Sequence, residues 1–287
     1  MHVTVYLPTR NRRALLQRAA DSVLAQTHRD FELIVVDDGS TDDTADYLGL
    51  LAARDSRVRV LRNAAPAGAP HARNVAIRAA RGAWVTGLDD DDEFMPERLS
   101  VLTAIATAYD SGSVPFSALY TQDEVVHPAR TAVTGKPCCA TLDTLFQENS
   151  IGNQVFMRTD AALQAGLYDE SLPAWQDLDF NMRLVSRLGP ARLVDRALYR
   201  LYNDERPDRL SRQRKDAIVQ AFRIVCAKWP AATPRQKQQL YLQVLGPHYG
   251  FPIEASDVAR YASLGVGPGS LLRLARRCNE RLRRRRA

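Results

Sequence analysis

Two runs of aspartate stand directly behind apolar segments: Asp89–Asp92 follow "AWVTGL", and Asp37–Asp38 follow "FELIVV". Adjacent carboxylates repel one another, so four in a row cost stability unless a positive charge offsets them. Hard divalent cations such as Mg²⁺ or Mn²⁺ take oxygen ligands of this kind, usually one or two carboxylates completed by water and substrate phosphates. A solvated acidic turn, or capping of a helix opened by "MPERL", is the plainer account of the same residues. The apolar lead-in and the second acidic pair at another strand end favour a metal or nucleotide site. Further along, "AWQDLDFNMRL" places Asp177 and Asp179 at the start of a helix with Phe180, Leu184 and Leu188 on one face. Carboxylates at a helix start serve as N-caps.

The elements that must position these groups follow from periodicity. "VTVYLP" (3–8), "FELIVVDD" (31–38), "RVRVLRN" (57–63) and "AWVTGL" (83–88) read as strands. Helices are expected over 11–26, from a Ser40 or Thr41 cap to about Arg54, and over 72–80, with 66–70 a loop. Strands alternating with helices predict an α/β fold with a mostly parallel sheet. Ligands in such sheets bind beyond the carboxyl ends of the strands, where "PTRN", "DDGSTDD" and "LDDDD" all fall, so these clusters are expected in one cleft.

Together these stretches resemble glycosyltransferase family 2. The resemblance runs through "VYLPTRNR", "SVLAQTHRDFELIVVDDGSTDDT", "GAPHARNVAIRAARGAWVTGLDDDDEFMPERL" and "NQVFMRTDAALQAGLYDESLPAWQDLDFNMRL", about Val3 to Leu184. It implies a GT-A Rossmann-like fold, with a catalytic domain over 1–202 (nucleotide-binding half 1–110, acceptor half 111–202). A helical extension over 203–269 and a basic helix over 270–287 would follow. By position, the resemblance puts Pro8 in the base pocket, Asp38 on the nucleotide base and Arg73 facing the nucleotide. It makes Asp89 and Asp91 the metal ligands for Mn²⁺ or Mg²⁺, with one of Asp90 and Asp92 at the sugar or facing water and Asp90 counted with the nucleotide-sugar-binding residues. Asp177 matches the family's catalytic base and Asp179 is its fallback. Trp175, an aromatic beside a helix start, either stacks on a sugar face or packs as core, and Gln176 stands where an acidic residue is common.

Composition limits the remaining options. A chain of 287 residues that is 45% hydrophobic is long enough for a substantial core, and no apolar run is long enough to cross a bilayer. The start, "MHVTVYLPTRNR", lacks the order of a secretory signal, so a cytoplasmic protein is expected. The four cysteines show no zinc-ligand or disulfide spacing and read as reduced. Net charge is +6, yet 271–287 holds eight arginines against Glu280, or +7, which leaves the rest of the chain at −1. Leu271, Leu274, Ala275, Cys278 and Leu282 recur at helical spacing there, which suits either a membrane surface or a packed terminal helix. Nucleic acid is not expected as a partner. Arg206, Arg209 and Arg212 lie in a polar loop that either closes over a diphosphate or, the plainer account, is simply solvated, and "GVGPGS" is a linker.

The expected function is metal-dependent, inverting transfer of a sugar from a nucleotide-sugar donor, UDP-linked, to a glycan or lipid-linked acceptor. The setting is bacterial polysaccharide or lipopolysaccharide synthesis at the cytoplasmic face of the inner membrane. Nucleotidyl transfer would call for a glycine-rich loop after the first strand, which "PTRNRRALL" lacks. An inactive nucleotide-binding module attached to a membrane is the alternative that Gln176 favours.

Overall fold

The computed structural model describes residues 1–203, 214–265, 267, 269–270 and 272–277. The chain divides into two compact units. The first comprises Met1–Thr141, Ser150–Glu170 and Asp177–Glu205; the second comprises Leu142–Asn149, Ser171–Gln176 and Arg206–Ala287.

The first unit opens with β1 (Val3–Thr9), α1 (Arg13–Leu24), β2 (Phe31–Asp37), α2 (Thr44–Arg54), β3 (Val58–Arg62), α3 (Ala69–Ala79) and β4 (Trp84–Gly87). These match the expected alternation. Two boundaries differ. Helix α2 starts at Thr44 with no side-chain cap bond, because Ser40 is spent on the Asn11 backbone and Asp37 instead takes the Ser40 N–H. Helix α3 starts three residues earlier than expected and takes Pro70 into its first turn, where a missing N–H costs nothing.

After β4 come β5 (Glu93–Phe94), α4 (Arg98–Ser111), β6 (Ala118–His127), β7 (Arg130–Val133) and β8 (Cys139–Ala140). Helix α5 (Leu142–Gln147) belongs to the second unit, and the first resumes with β9 (Phe156–Arg158), α6 (Thr159–Ala165), α7 (Gln176–Leu188, from Asp177 on) and β10 (Ala191–Tyr202). The sheet runs β3-β2-β1-β4-β9-β6-β10-β5, with β7 on β6 and β8 on β10. Pairing is parallel through β3-β2-β1-β4 and in β6-β10, and antiparallel elsewhere. The class is a mixed α/β sheet flanked by helices.

Alternation decides the layers, since successive strand side chains point to opposite faces. Val3, Val5 and Leu7 of β1 and Phe31, Leu33 and Val35 of β2 join Leu16, Val23, Leu48 and Leu102 in one core beneath α1, α2 and α4. Helix α3 packs against β1 and β2, and Tyr6 of β1 meets Tyr168 by hydroxyl contact outside that core. Pro8 sits inside a central strand without losing a ladder bond. The Tyr6 carbonyl faces β4 and accepts from Leu88, whereas the Thr9 carbonyl accepts from Asp38; by alternation Pro8 faces the β4 side after β4 has ended.

The second unit adds α8 (Lys215–Lys228), α9 (Pro234–Val244) and α10 (Ala255–Ser263). Helix α9 is capped at Thr233 by a reciprocal Thr233–Gln236 box, and Phe222 meets Tyr241 edge-on at 5.1 Å. Lys215 ties Glu254 and Asp257, and Tyr241 donates to Asp257. Cys138, Cys139 and Cys226 are free thiols. Among the described residues no helix is long and apolar enough to cross a membrane. Arg206, Arg209 and Arg212, and most of the basic segment 271–286, lie outside the described residues.

Candidate active site

The carboxyl ends of β1, β2 and β4 carry the polar clusters. At β2, Asp37 takes the Ser40 N–H at 2.8 Å and pairs with Arg62 at 3.3 Å. Asp38 accepts from the Asn63 amide at 2.7 Å and from the backbone N–H groups of Ala67 and Gly68 at 2.9 and 2.8 Å. Burial alone would raise the Asp38 pKa, but these three bonds and the nearby Arg10 charge outweigh it and hold the carboxyl below its ordinary value. Asp38 therefore shapes the loop 63–68. The loop crosses close over the turn: a Cβ on Gly39, at φ +71°, would lie 3.1 Å from the Pro66 nitrogen.

At β4 the balance is the opposite. One carboxylate oxygen from each of Asp89, Asp91 and Asp92 lies within 4.8 Å of the others. Asp89 accepts from Arg73 at 2.8 Å, and Asp91 lies 3.7 Å from Arg12. Asp92 is held by the Tyr199 hydroxyl at 2.9 Å and the Tyr202 N–H at 3.1 Å. Burial, then the charges of Asp91 and Asp89, push the Asp92 carboxyl well above its ordinary value. Asp90 stands apart from this trio. It is buried rather than facing water, accepting from Thr9 at 2.7 Å and Arg12 at 3.1 Å. Burial raises its pKa to about 6 against the pull of Arg12 and Thr9.

Carboxylates with no imidazole or thiolate form a hard, oxygen-only donor set, and the two arginines do not cancel its charge. That set fits Mg²⁺ or Mn²⁺.

Tyr168 connects this cluster to the downstream aspartate. Its hydroxyl meets Tyr6 at 3.0 Å, its ring stacks on Phe180 of α7 at 4.5 Å, and Arg73 lies 5.4 Å from its centroid. Asn74 fixes its backbone twice, donating to the Tyr168 carbonyl and accepting its N–H, each at 2.8 Å. Burial raises the Tyr168 pKa; Arg73 opposes this, while Asp177 and Asp89 both add to it. One hydroxyl thus feels Asp177 and Asp89 together. The fit is close, since a Cβ on Gly87 would lie 2.5 Å from the Tyr6 ring.

The other downstream residues have different surroundings. Asp179 is fully buried and paired with Arg183 at 2.9 Å, and Arg183 also donates to the Ala165 and Leu167 carbonyls. It anchors α7 to the turn after α6. Trp175, at φ +61°, is 8% exposed and donates its indole N–H to Tyr249 at 2.8 Å, which leaves little of the ring for a sugar. The Gln176 amide donates to the Leu172 carbonyl at 2.9 Å. Arg12, Tyr168, Asn74, Tyr199 and Asp92's place in the trio are the parts of the site that sequence reading missed. Arg12, Asn74 and Tyr168 lie within the stretches that carry the family resemblance, but no residue type or spacing singled them out.

The model of the family described as "Glycosyl transferase family 2" matches residues 4–157. The chain belongs to that family. This glycosyltransferase is 36% identical over 202 residues to WcaA of Escherichia coli K12, named as a colanic acid biosynthesis glycosyl transferase, covering 68% of this chain and 70% of that one. Its fold is similar to Staphylococcus aureus TarS 1–349 in complex with UDP-GlcNAc (TM-score 0.70, 20% identity, 92% of this chain and 79% of that one). It is also similar to the mannosyltransferase PcManGT of Pyrobaculum calidifontis in complex with GDP-Man and Mn²⁺ (TM-score 0.60, 20% identity, 98% and 80%). The fold is therefore GT-A, and the family's work includes polysaccharide biosynthesis.

Proposed function

We propose that this glycosyltransferase is metal-dependent and inverting, and moves a sugar from a UDP-linked donor to a hydroxyl of a glycan or lipid-linked acceptor. The observation that carries the reading is the trio Asp89, Asp91 and Asp92 at the end of β4, with Asp177 in electrostatic reach of the same Tyr168 that Asp89 and Arg73 approach. The metal complex of PcManGT and the UDP-GlcNAc complex of TarS support the choice of ion and donor.

Asp91 and Asp89 would hold Mn²⁺ or Mg²⁺, with Asp92 closing the trio. Bound there, the ion supplies positive charge that offsets the charge developing on the departing diphosphate. Arg73 and Arg12 add fixed cations at the same edge. Asp177 takes the proton of the acceptor hydroxyl as that oxygen attacks the anomeric carbon. The bond from that carbon to the diphosphate oxygen breaks as the new one forms, so the configuration inverts and a nucleoside diphosphate leaves. Pro8 and the loop 63–68, held by Asp38, would line the base pocket, with Asp90 bracing the Thr9–Arg12 turn beside it.

The acceptor class follows the polysaccharide setting of WcaA. Docking of the basic segment 271–286 on the cytoplasmic face of the inner membrane rests on its sequence pattern alone. The test is incubation with a panel of nucleotide sugars with and without Mn²⁺, following release of nucleoside diphosphate. Metal-dependent release from a UDP-sugar is expected; release that ignores chelation of the metal would overturn the reading.

A further inference from the structure

Beyond residue 157, where the family match ends, β10 returns to the acidic cluster and holds one of its carboxylates at both oxygens. The Tyr199 hydroxyl donates to Oδ2 of Asp92 at 2.9 Å, and the Tyr202 N–H donates to Oδ1 at 3.1 Å. The same Tyr199 oxygen lies 3.4 Å from the Asp89 N–H, so one phenol touches the first and last members of the run.

Tyr199 is itself fixed from below. It is 1% exposed, meets Phe94 edge-on at 5.9 Å, and lies 5.5 Å from the guanidinium of Arg98. Arg98 is completely buried and immobilised by bonds to the Thr121 hydroxyl, the Gln154 side chain and the Gln154 carbonyl. A phenol held this rigidly donates along one direction only.

We infer that Tyr199 is a positioning residue for the metal centre: by holding Asp92 it aims that carboxylate into the trio and fixes the spacing on which ion affinity depends. Groups that orient a metal ligand in this way typically change metal affinity about 10- to 100-fold when removed. The inference rests on the proposed metal site.

The test measures Mn²⁺ affinity in the presence of UDP, by the loss of the free-ion electron paramagnetic resonance signal, for the full chain and for Tyr199→Phe, Asp92→Asn and the double variant. Tyr199→Phe keeps the ring and its packing. Its affinity is expected to fall about tenfold or more, and the double variant should lose no more than Asp92→Asn alone, because the two act through one contact. Tyr241→Phe removes another buried hydroxyl, bonded to Asp257 in the second unit, and should leave Mn²⁺ affinity unchanged. Unchanged affinity in Tyr199→Phe, or losses that simply add in the double variant, would overturn the inference. If the unmodified chain itself takes up no Mn²⁺ with UDP, the metal site falls, and this inference with it.

Discussion

Asp37–Asp38 and Asp89–Asp92 look alike in sequence, as acidic runs closing buried parallel strands, yet their surroundings are opposite. At the end of β2, Asp38 takes two backbone N–H groups and an amide, and its pKa falls. At the end of β4, carboxylates face one another in a buried setting, and the pKa values of Asp90 and Asp92 rise. A satisfied carboxylate builds a loop. A crowded set, with carboxylate oxygens of Asp89, Asp91 and Asp92 within 4.8 Å of one another, is a candidate place for a cation.

The contrast can be broken most sharply at the catalytic end. Asp177→Asn should lower kcat about 10²- to 10⁴-fold while UDP affinity in Mn²⁺ holds; retained turnover in steady-state kinetics would remove Asp177 from the base role. Next, Asp91→Ala should abolish the Mn²⁺-dependent part of UDP binding, measured calorimetrically, without lowering the melting temperature of the metal-free protein, because it relieves repulsion. Asp38→Ala should instead lower the melting temperature of the metal-free protein. It strands three donors and should cost about 1–3 kcal/mol of stability in denaturant unfolding.

The smallest effect is one of pH. Asp90 has its folded pKa raised to about 6, above an ordinary aspartate value of about 3.9. The folded chain therefore binds that proton more tightly than the unfolded chain. The resulting stability is fully present below about pH 4 and is lost as pH rises through about 6. Asp38, with a lowered pKa, contributes in the other sense, its stability fading as pH falls into the acid range. The rise in melting temperature produced by Mn²⁺ should be greater at pH 7.5 than at pH 5, since metal binding requires a deprotonated trio and burial, with the charges of Asp91 and Asp89, raises the pKa of Asp92. An equal rise at both values would indicate a cation bound elsewhere.

Much of the nucleotide-binding half was legible because its strands are short apolar runs ended by Gly, Asp or Asn, with helices at clear 3.6-residue spacing. β1 and β2 agree with the expectation to one residue at their ends. The antiparallel insertions β9 and β7 were not legible. Phe156–Arg158 is three residues long, and Arg130–Val133 is exposed throughout, so neither shows a strand period. Within the candidate site, the run Asp89–Asp92 stood out by residue type and position, and the family resemblance singled out Asp89, Asp91 and Asp177. The contact between Asp92 and Tyr199 was not legible, because it joins residues separated by 107 positions. Asp179 and Asp177 are two residues apart and both acidic, so only burial and the Arg183 pair tell them apart.

The most direct test of the central claim is calorimetric titration of UDP into the protein, with Mn²⁺ and with a chelator, using the unmodified chain and Asp91→Ala side by side. Tight binding only for the unmodified chain in Mn²⁺ is the predicted result. Equal UDP binding with chelator present, or in Asp91→Ala with Mn²⁺, would contradict a metal-held diphosphate at the end of β4.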